Sequence, residues 1–289
     1  MINLHFKVRR AVMEDHNQIA NLIFLESNTH RHLDWRSALE WIGSRNYWVL
    51  EDNGRIIAAL ACPEDPQHIA WIRLFSYHQD LSSLETWSTL WEAARDDILS
   101  FNPQSHIAAI VTKQWFQNLL LSSGFELKQN IVLLQLNIKD AILPLSESRA
   151  IHIRPMMGTD ILNVARLDLA AFGRFWHNTF DSLQRAYSQA FHATVAEDGS
   201  GLVGYQISTG NPFGAHLARL GVQPEAQGKG IGKALVNDLI RHLNTQQIGK
   251  LSVNTQSDNE ASLSLYQKIG FVRTGEYFPV LVYGTSGYE

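Results

Sequence analysis

Hydrophobic positions in the second half of the chain recur in two rhythms. Ile161, Val164, Leu167 and Leu169 return at near-helical spacing behind Thr159 and Asp160, either of which can cap a helix start. Ile231, Leu235, Leu239, Ile240 and Leu243 mark one apolar face of a longer helix. A further helix is predicted over Ser182–Phe191. A short one runs to Lys268 from Ser257 and Glu260, which are spaced as a capping box, and Gly270 is placed to stop it in a left-handed conformation. Between these lie short apolar runs that read as strands: His152–Arg154, a hairpin of Thr194–Glu197 with Leu202–Ser208, His216–Val222, Leu251–Thr255, and one or two last strands over Phe271–Val282. The predicted class is α+β (α/β).

The pattern occurs twice. Ser123-Gly124-Phe125 returns as Ile269-Gly270-Phe271, and the turn and strand from Glu51 to Ala58 return as Glu197 to Gly204, both at an offset of 146 positions. The opening Val8-Arg9-Arg10-Ala11 returns as Ile153-Arg154-Pro155-Met156 at an offset of 145. Three matches in one order at offsets of 145 and 146 point to tandem domains, 1–140 and 150–289. The connector is Lys139–Ala150, with Pro144, Ser146 and Ser148 and no clear period.

Composition narrows the function. The 289 residues are 45% hydrophobic and 18% charged, the balance of folded globular proteins and enough for about two domains. A net charge of −4 argues against a dedicated nucleic-acid binder, which carries a basic surplus. A single cysteine, Cys62, forbids an intrachain disulfide and suits a reducing cytoplasm. No stretch approaches the roughly 18 apolar residues of a membrane span, and Met1–Arg10 has no apolar run behind its basic residues. A cytoplasmic protein without membrane partners is the expectation. The 12 histidines are scattered, none at ligand spacing with a carboxylate cluster, so no metal is expected.

The most informative stretch is Val222-Gln223-Pro224-Glu225-Ala226-Gln227-Gly228-Lys229-Gly230-Ile231-Gly232-Lys233, between a strand and a helix. Glycines there let backbone N–H groups converge on an anion, and the helix dipole adds about half a positive charge. Lys229 and Lys233 add full charges, so the geometry wants a phosphate or pyrophosphate. The spacing is neither a P-loop nor a dinucleotide fingerprint. Gly228 and Gly232 enclose three residues rather than four, Ala234 stands where a metal-binding hydroxyl belongs, and Lys233 stands where a third dinucleotide-binding glycine belongs. The plain alternative is a helix entry softened by glycine.

Gln227-x-x-Gly230-x-Gly232, followed by Asn259-x-x-Ser262-x-x-Leu265-Tyr266-x-x-x-Gly270-Phe271, resembles the GNAT superfamily of acetyl-CoA-dependent N-acetyltransferases. The resemblance is specific for residues 151–289 and topological for 1–140. It implies two tandem GNAT-like domains, each a mixed, mostly antiparallel sheet flanked by helices. It also implies acetyl-CoA as cosubstrate. Gln227, Gly228, Lys229, Gly230, Ile231, Gly232 and Lys233 would hold the CoA pyrophosphate. Leu220, Gly221 and Val222 would pair with the pantetheine arm as if it were a strand, with Asn259 beside it. Tyr266 would aim its hydroxyl at the thioester sulfur.

The implied chemistry is direct attack of a primary amine on the thioester. A main-chain N–H near Leu220 or Gly221 would meet the developing oxyanion. The Tyr266 phenol, mostly protonated at neutral pH, would protonate the departing thiolate; a core aromatic is the plain alternative. No base is evident, because the position five before Asn259 is Asn254, which cannot take a proton. His216 is the candidate, directly or through water, with His192 and Glu276 behind it; a structural role is the alternative for each. Phe172, Phe175, Trp176 and His177 either line an acceptor pocket or belong to the core.

Carrying the motif back by 146 positions puts Leu84 for Gly230, Thr86 for Gly232 and Leu120 for Tyr266. Ser76–Trp91 contains no glycine, so the first domain is expected not to bind CoA. Asn28-Thr29-His30-Arg31-His32 reads there as a solvated loop. A silent fused copy can replace a partner subunit, which points to a monomer with an internal pseudo-dimer. The acceptor is a small-molecule amine or a peptide N-terminus. The rival reading is a catalytically silent acyl-CoA-binding regulatory or interaction protein, and a longer acyl donor is a further variant.

Overall fold

The computed structural model describes residues 6–32, 34–143 and 151–284. It divides into two compact units, Met1–Gln129 with Phe278–Glu289, and Asn130–Tyr277. In chain order the elements are β1 (Phe6–Arg10), α1 (His16–Leu25), β2 (Thr29–Arg31), β3 (Tyr47–Asp52), β4 (Arg55–Ala61), β5 (Ile69–Trp71), β6 (Leu74–Tyr77), α2 (Ser83–Phe101), β7 (His106–Ile110), α3 (Gln114–Ser122) and β8 (Glu126–Asn137). They continue with β9 (His152–Pro155), α4 (Ile161–Trp176), α5 (Phe180–Ser188), β10 (His192–Asp198), β11 (Gly201–Asn211), β12 (Gly214–Val222), α6 (Ile231–Thr245), β13 (Lys250–Gln256), α7 (Glu260–Ile269) and β14 (Val272–Tyr283).

The division differs from the expected cut between 140 and 150. Strand β8 enters the second unit, pairing antiparallel with β13 from Ile131↔Gln256 to Asn137↔Lys250 and burying Leu134 and Leu136 in that unit's core. The end of β14 belongs to the first unit, where Val280–Tyr283 pair with β7 and Leu281 is buried in the core. Each unit is thus completed by a strand from the other side of the expected boundary. Burial explains it: both segments are apolar strands that need a sheet edge. Residues 144–150 of the expected connector lie outside the described residues.

In the second unit the sheet runs β8-β13-β12-β11-β10-β9, antiparallel except for β12 with β13. One face packs under α6 and α7 through Leu217, Leu239, Leu243, Val253, Tyr266 and Ile269. Leu167 and Asp168 of α4 approach the opposite face at Gly221 and Tyr205. Ile161, Val164 and Leu167 are buried as their spacing predicts, but Leu169 falls off that face and is exposed. The helix expected over 182–191 spans Phe180–Ser188, and the expected last strands are one, β14.

The first unit repeats this plan with one substitution. Its sheet runs β1-β3-β4-β6-β2, and β5 and β6 together stand where the second unit has the single strand β12. The registers match residue for residue: Ser76, Phe75 and Leu74 oppose Ala59, Leu60 and Ala61, as Gly221, Leu220 and Arg219 oppose Tyr205, Gln206 and Ile207. The outer edge of β6 is covered by β2, with Thr29↔Ser76, His30↔Phe75 and Arg31↔Leu74. The expected solvated loop at 28–32 is therefore a strand. The His30 side chain is 0% exposed and stacks on Phe116 at 4.2 Å, because the edge of β6 and the core beside it are better satisfied by chain than by water.

The two units also share an ion-pair device. Arg9 bonds Asp15 at 2.6 Å and Glu51 at 2.7 Å, and Arg154 bonds Asp160 at 2.7 Å and Glu197 at 2.6 Å. In each, the aspartate also accepts the backbone N–H three residues before it, Val12 or Met157, at 2.9 and 2.8 Å. Asp160 thus precedes α4 as predicted, but its carboxylate serves Arg154 and Met157 rather than the helix.

Candidate active site

Strand β12 pairs with β11 over its whole length but with β13 only at Ala215–Leu217. The register with β11 skips at Ala218, an extra residue of the β-bulge kind that bends a strand. Beyond it β12 and β13 part, leaving the backbone of Arg219–Val222 facing an open fork. An extended ligand arm would need such an edge, and Leu220, Gly221 and Val222 lie on it.

At the end of that edge the chain turns through Pro224–Ala226 into the glycine loop. Gly228 and Gly230 adopt φ of 75° and 84°, left-handed conformations that side chains disfavour, and Gly230 caps α6. A Cβ on either would meet nothing within 4 Å, so the loop is open to a ligand. The first N–H groups of α6, from Ile231 to Lys233, have no intrahelical acceptor and point toward it. Gln227 and Lys229 are exposed, and the Gln227 amide bonds back to the Val222 carbonyl at 3.2 Å. The loop, its dipole and the open edge fit a diphosphate followed by an extended arm.

The remaining candidates divide. Tyr266 is 4% exposed, on α7 against Phe271 at 5.3 Å, and burial raises its phenol well above 10, which keeps its proton in place. Asn259 caps α7, accepting the Ser262 N–H at 3.0 Å, so the cap is Asn259 and not the Ser257 expected from spacing. Gly270 ends that helix at φ 108° as expected. His216 stands just before the bulge with Nδ1 2.9 Å from the Ser252 hydroxyl, and burial lowers its pKa below 6.5, leaving a neutral imidazole at pH 7. His192 is engaged elsewhere, 3.1 Å from Asp238 and stacked on His242, and Glu276 is exposed on β14. Asn254 lies on β13 with its side-chain oxygen buried and without a hydrogen-bond partner.

The sequence did not reveal the most heavily bonded group near the fork. Asp168 on α4 is 0% exposed. It accepts from Arg219 Nε at 2.7 Å and Nη2 at 2.9 Å, from the Asn178 backbone at 2.6 Å and from the Tyr205 hydroxyl. Burial and the Asp168 charge hold that phenol well above its usual range. A charged residue in a helix and another in a strand carry no local sign of meeting. Phe172, Phe175, Trp176 and His177 are half-buried at the end of α4. Among the described residues no group of three or more His, Cys, Asp or Glu could hold a metal ion.

Comparison with known proteins follows the same geometry. The family model described as "Acetyltransferase (GNAT) family" matches residues 161–271. A mycothiol acetyltransferase of Amycolatopsis mediterranei is 27% identical over 177 residues, covering 54% of this chain and 58% of that protein. The N-alpha-acetyltransferase RimI of Mycobacterium tuberculosis is 35% identical over 88 residues, 29% of this chain and 54% of its own. The chain thus spans little more than half the length of these relatives. A tandem GNAT protein from the clavulanic acid biosynthesis pathway superposes with a TM-score of 0.66 over 98% of this chain and all of its own, at 15% identity. That likeness shows the fold of both halves. The chain has the fold of a tandem GNAT protein, and its residues 161–271 match the acetyltransferase (GNAT) family.

Proposed function

We propose that the second unit is an acetyl-CoA-dependent N-acetyltransferase acting on a primary amine, and that the first unit takes no CoA. The carrying observation is the fork: an open β12 edge that leads from a left-handed glycine loop at the start of α6 to the bulge at Ala218. Bound acetyl-CoA supplies the activated thioester.

The chain's own residues do the rest. Gln227–Lys233 hold the diphosphate through main-chain N–H groups, helped by Lys229 and Lys233. The Leu220–Val222 backbone orients the arm as an added strand, and a main-chain N–H at Leu220 or Gly221 polarises the carbonyl. His216 takes a proton from the amine, directly or through water, in the neutral form that its burial favours. Tyr266 holds the proton that the departing sulfur needs. Asn259 acts by fixing the start of α7, and so the position of Tyr266.

In the first unit β2 lies along the backbone equivalent to Arg219–Gly221, so the chain itself takes the place of a ligand arm, and no glycine loop precedes α2. One CoA per chain is the consequence. The relatives are named for mycothiol and for N-alpha acetyl transfer, which supports a small-molecule or a peptide amine as acceptor. A second reading, a silent acyl-CoA-binding protein, is favoured by Asn254, whose buried oxygen cannot act as a base. Titration calorimetry with CoA and thiol release from acetyl-CoA over an amine panel test these readings. One site and thiol release are expected. Two sites would remove the silence of the first unit, binding without release would favour the sensor, and no heat would end both.

A further inference from the structure

We infer that Asp168 and Arg219 are positioning residues for the amine: together they hold Phe172–Asn178 as a fixed wall beside the fork. This rests on the transferase reading of the second unit. The ion pair ties that segment at three points. The Asn178 N–H donates to Asp168 at 2.6 Å, the Trp176 carbonyl accepts from Arg219 Nη2 at 2.8 Å, and the guanidinium lies 3.4 Å from the centroid of the Phe172 ring.

The segment needs such a hold. Gly173 kinks α4 at φ 67°, ψ −179°, a region essentially confined to glycine, so the helix axis upstream does not set the direction of the residues after it, although the His177 N–H still closes a turn on the Gly173 carbonyl at 3.1 Å. Stability alone is a poor reason for the pair, because well-packed apolar residues replace a buried ion pair at little or no cost. Fixing one geometry is a better one: a bidentate guanidinium–carboxylate contact is directional, and here each partner also bonds the segment's backbone.

The place of the pair gives the geometry its use. Arg219 follows the bulge at Ala218, where β12 leaves β13, with Leu220 and Gly221 next on the open edge. An arm anchored at the glycine loop and laid along Val222 to Arg219 brings its far end, the acyl end, to this point. One face of the fork is filled by Leu217, Leu220, Val253 and Tyr266 under α6 and α7. The amine is left the other face, where His216 bonds Ser252 and where the pair holds Phe172 and Trp176.

The test uses the full chain and the Arg219→Lys variant, which keeps the charge and loses the bidentate guanidinium contact with Asp168. A second variant, Gly173→Ala, reaches the segment without touching the ion pair. The probes are glucosamine and an alanine-led tetrapeptide, whichever is acetylated. The expected result for both variants is a KM for the amine raised at least tenfold, kcat within threefold and CoA affinity within twofold of the parent. Hydrogen exchange over 172–178 should accelerate at least tenfold while α6 amides stay protected, which separates a loosened wall from a misfolded unit. An unchanged amine KM, unchanged exchange over 172–178, or a parallel loss of CoA affinity and kcat would overturn the inference and leave the pair as core. If the parent chain acetylates neither probe, an amine that gives thiol release in the panel takes their place; a panel without release ends the transferase reading, and the exchange experiment still decides whether the pair holds the segment.

Discussion

Two side chains show how burial turns ordinary chemistry into a defined role. The Tyr266 phenol, raised by desolvation, stays protonated throughout the working pH range. Replacing it with Phe keeps the ring against Phe271 and removes only the hydroxyl that carries the proton, so kcat should fall about 10²–10⁴-fold with CoA affinity within twofold. Steady-state kinetics and calorimetry check this, and an undiminished kcat removes Tyr266 from the chemistry. His30 is the opposite case. Neither ring nitrogen makes a well-formed hydrogen bond, and burial lowers its pKa to about 4 against a weaker opposing effect of the Ile72 backbone. A lowered folded-state value means that the neutral form is the one the fold favours. Its contribution is complete above the unfolded value near 6.5 and is lost as pH falls from there toward 4, by about 3 kcal/mol at most. His30→Phe should flatten the pH dependence of thermal unfolding between 6.5 and 4. His32, also lowered by burial, would keep part of the slope. Equal slopes in parent and variant would show that His30 does not titrate with unfolding. The role proposed for Tyr266 was legible because the motif around it is dense. His30 was not, since its five-residue neighbourhood is polar and reads as loop until the edge of β6 is known to need a partner.

At the level of elements, the apolar period of α6 and the glycines before it were legible because both are local: 3.6-residue repetition and left-handed backbone depend on neighbours in the chain. The structure adds that Gly230 itself is the α6 cap, at φ 84°. Gly230→Ala should therefore strain the loop and weaken CoA binding about tenfold or more while leaving the fold intact. Calorimetry beside a melting curve checks this, and unchanged affinity would move the diphosphate away from this turn. The fork itself was invisible in the sequence, because a strand that pairs on one side and opens on the other looks the same as one paired on both. So was the paired device Arg9–Asp15–Glu51 and Arg154–Asp160–Glu197. Its members recur at the offsets of the repeat, 145 and 146, yet nothing in the residue types says that they meet.

For the whole chain, the exchange of strands decides what can be cut. A fragment 150–289 lacks the 130–137 partner of β13 and carries Leu281, which belongs to the other unit's core, and Val280, which pairs with β7 of that unit. It is expected to aggregate, whereas 130–277 should remain soluble with α6 amides protected; expression of both with hydrogen exchange checks this, and equal behaviour would mean that β8 adds nothing to the second unit. No helix among the described residues is long and apolar enough to cross a membrane. The sequence alone determined that there are two like halves, that the second holds the glycine loop and the Asn259–Phe271 motif, and that the first lacks them. These are matters of residue type at fixed spacing. Only the tertiary structure decided where each unit ends, which strand edge stays open, that β2 closes the matching edge in the first unit, and that Asp168 finds Arg219. Strand pairing and buried charge are settled between residues far apart in the chain, by which edges and which charges would otherwise be left unpaired.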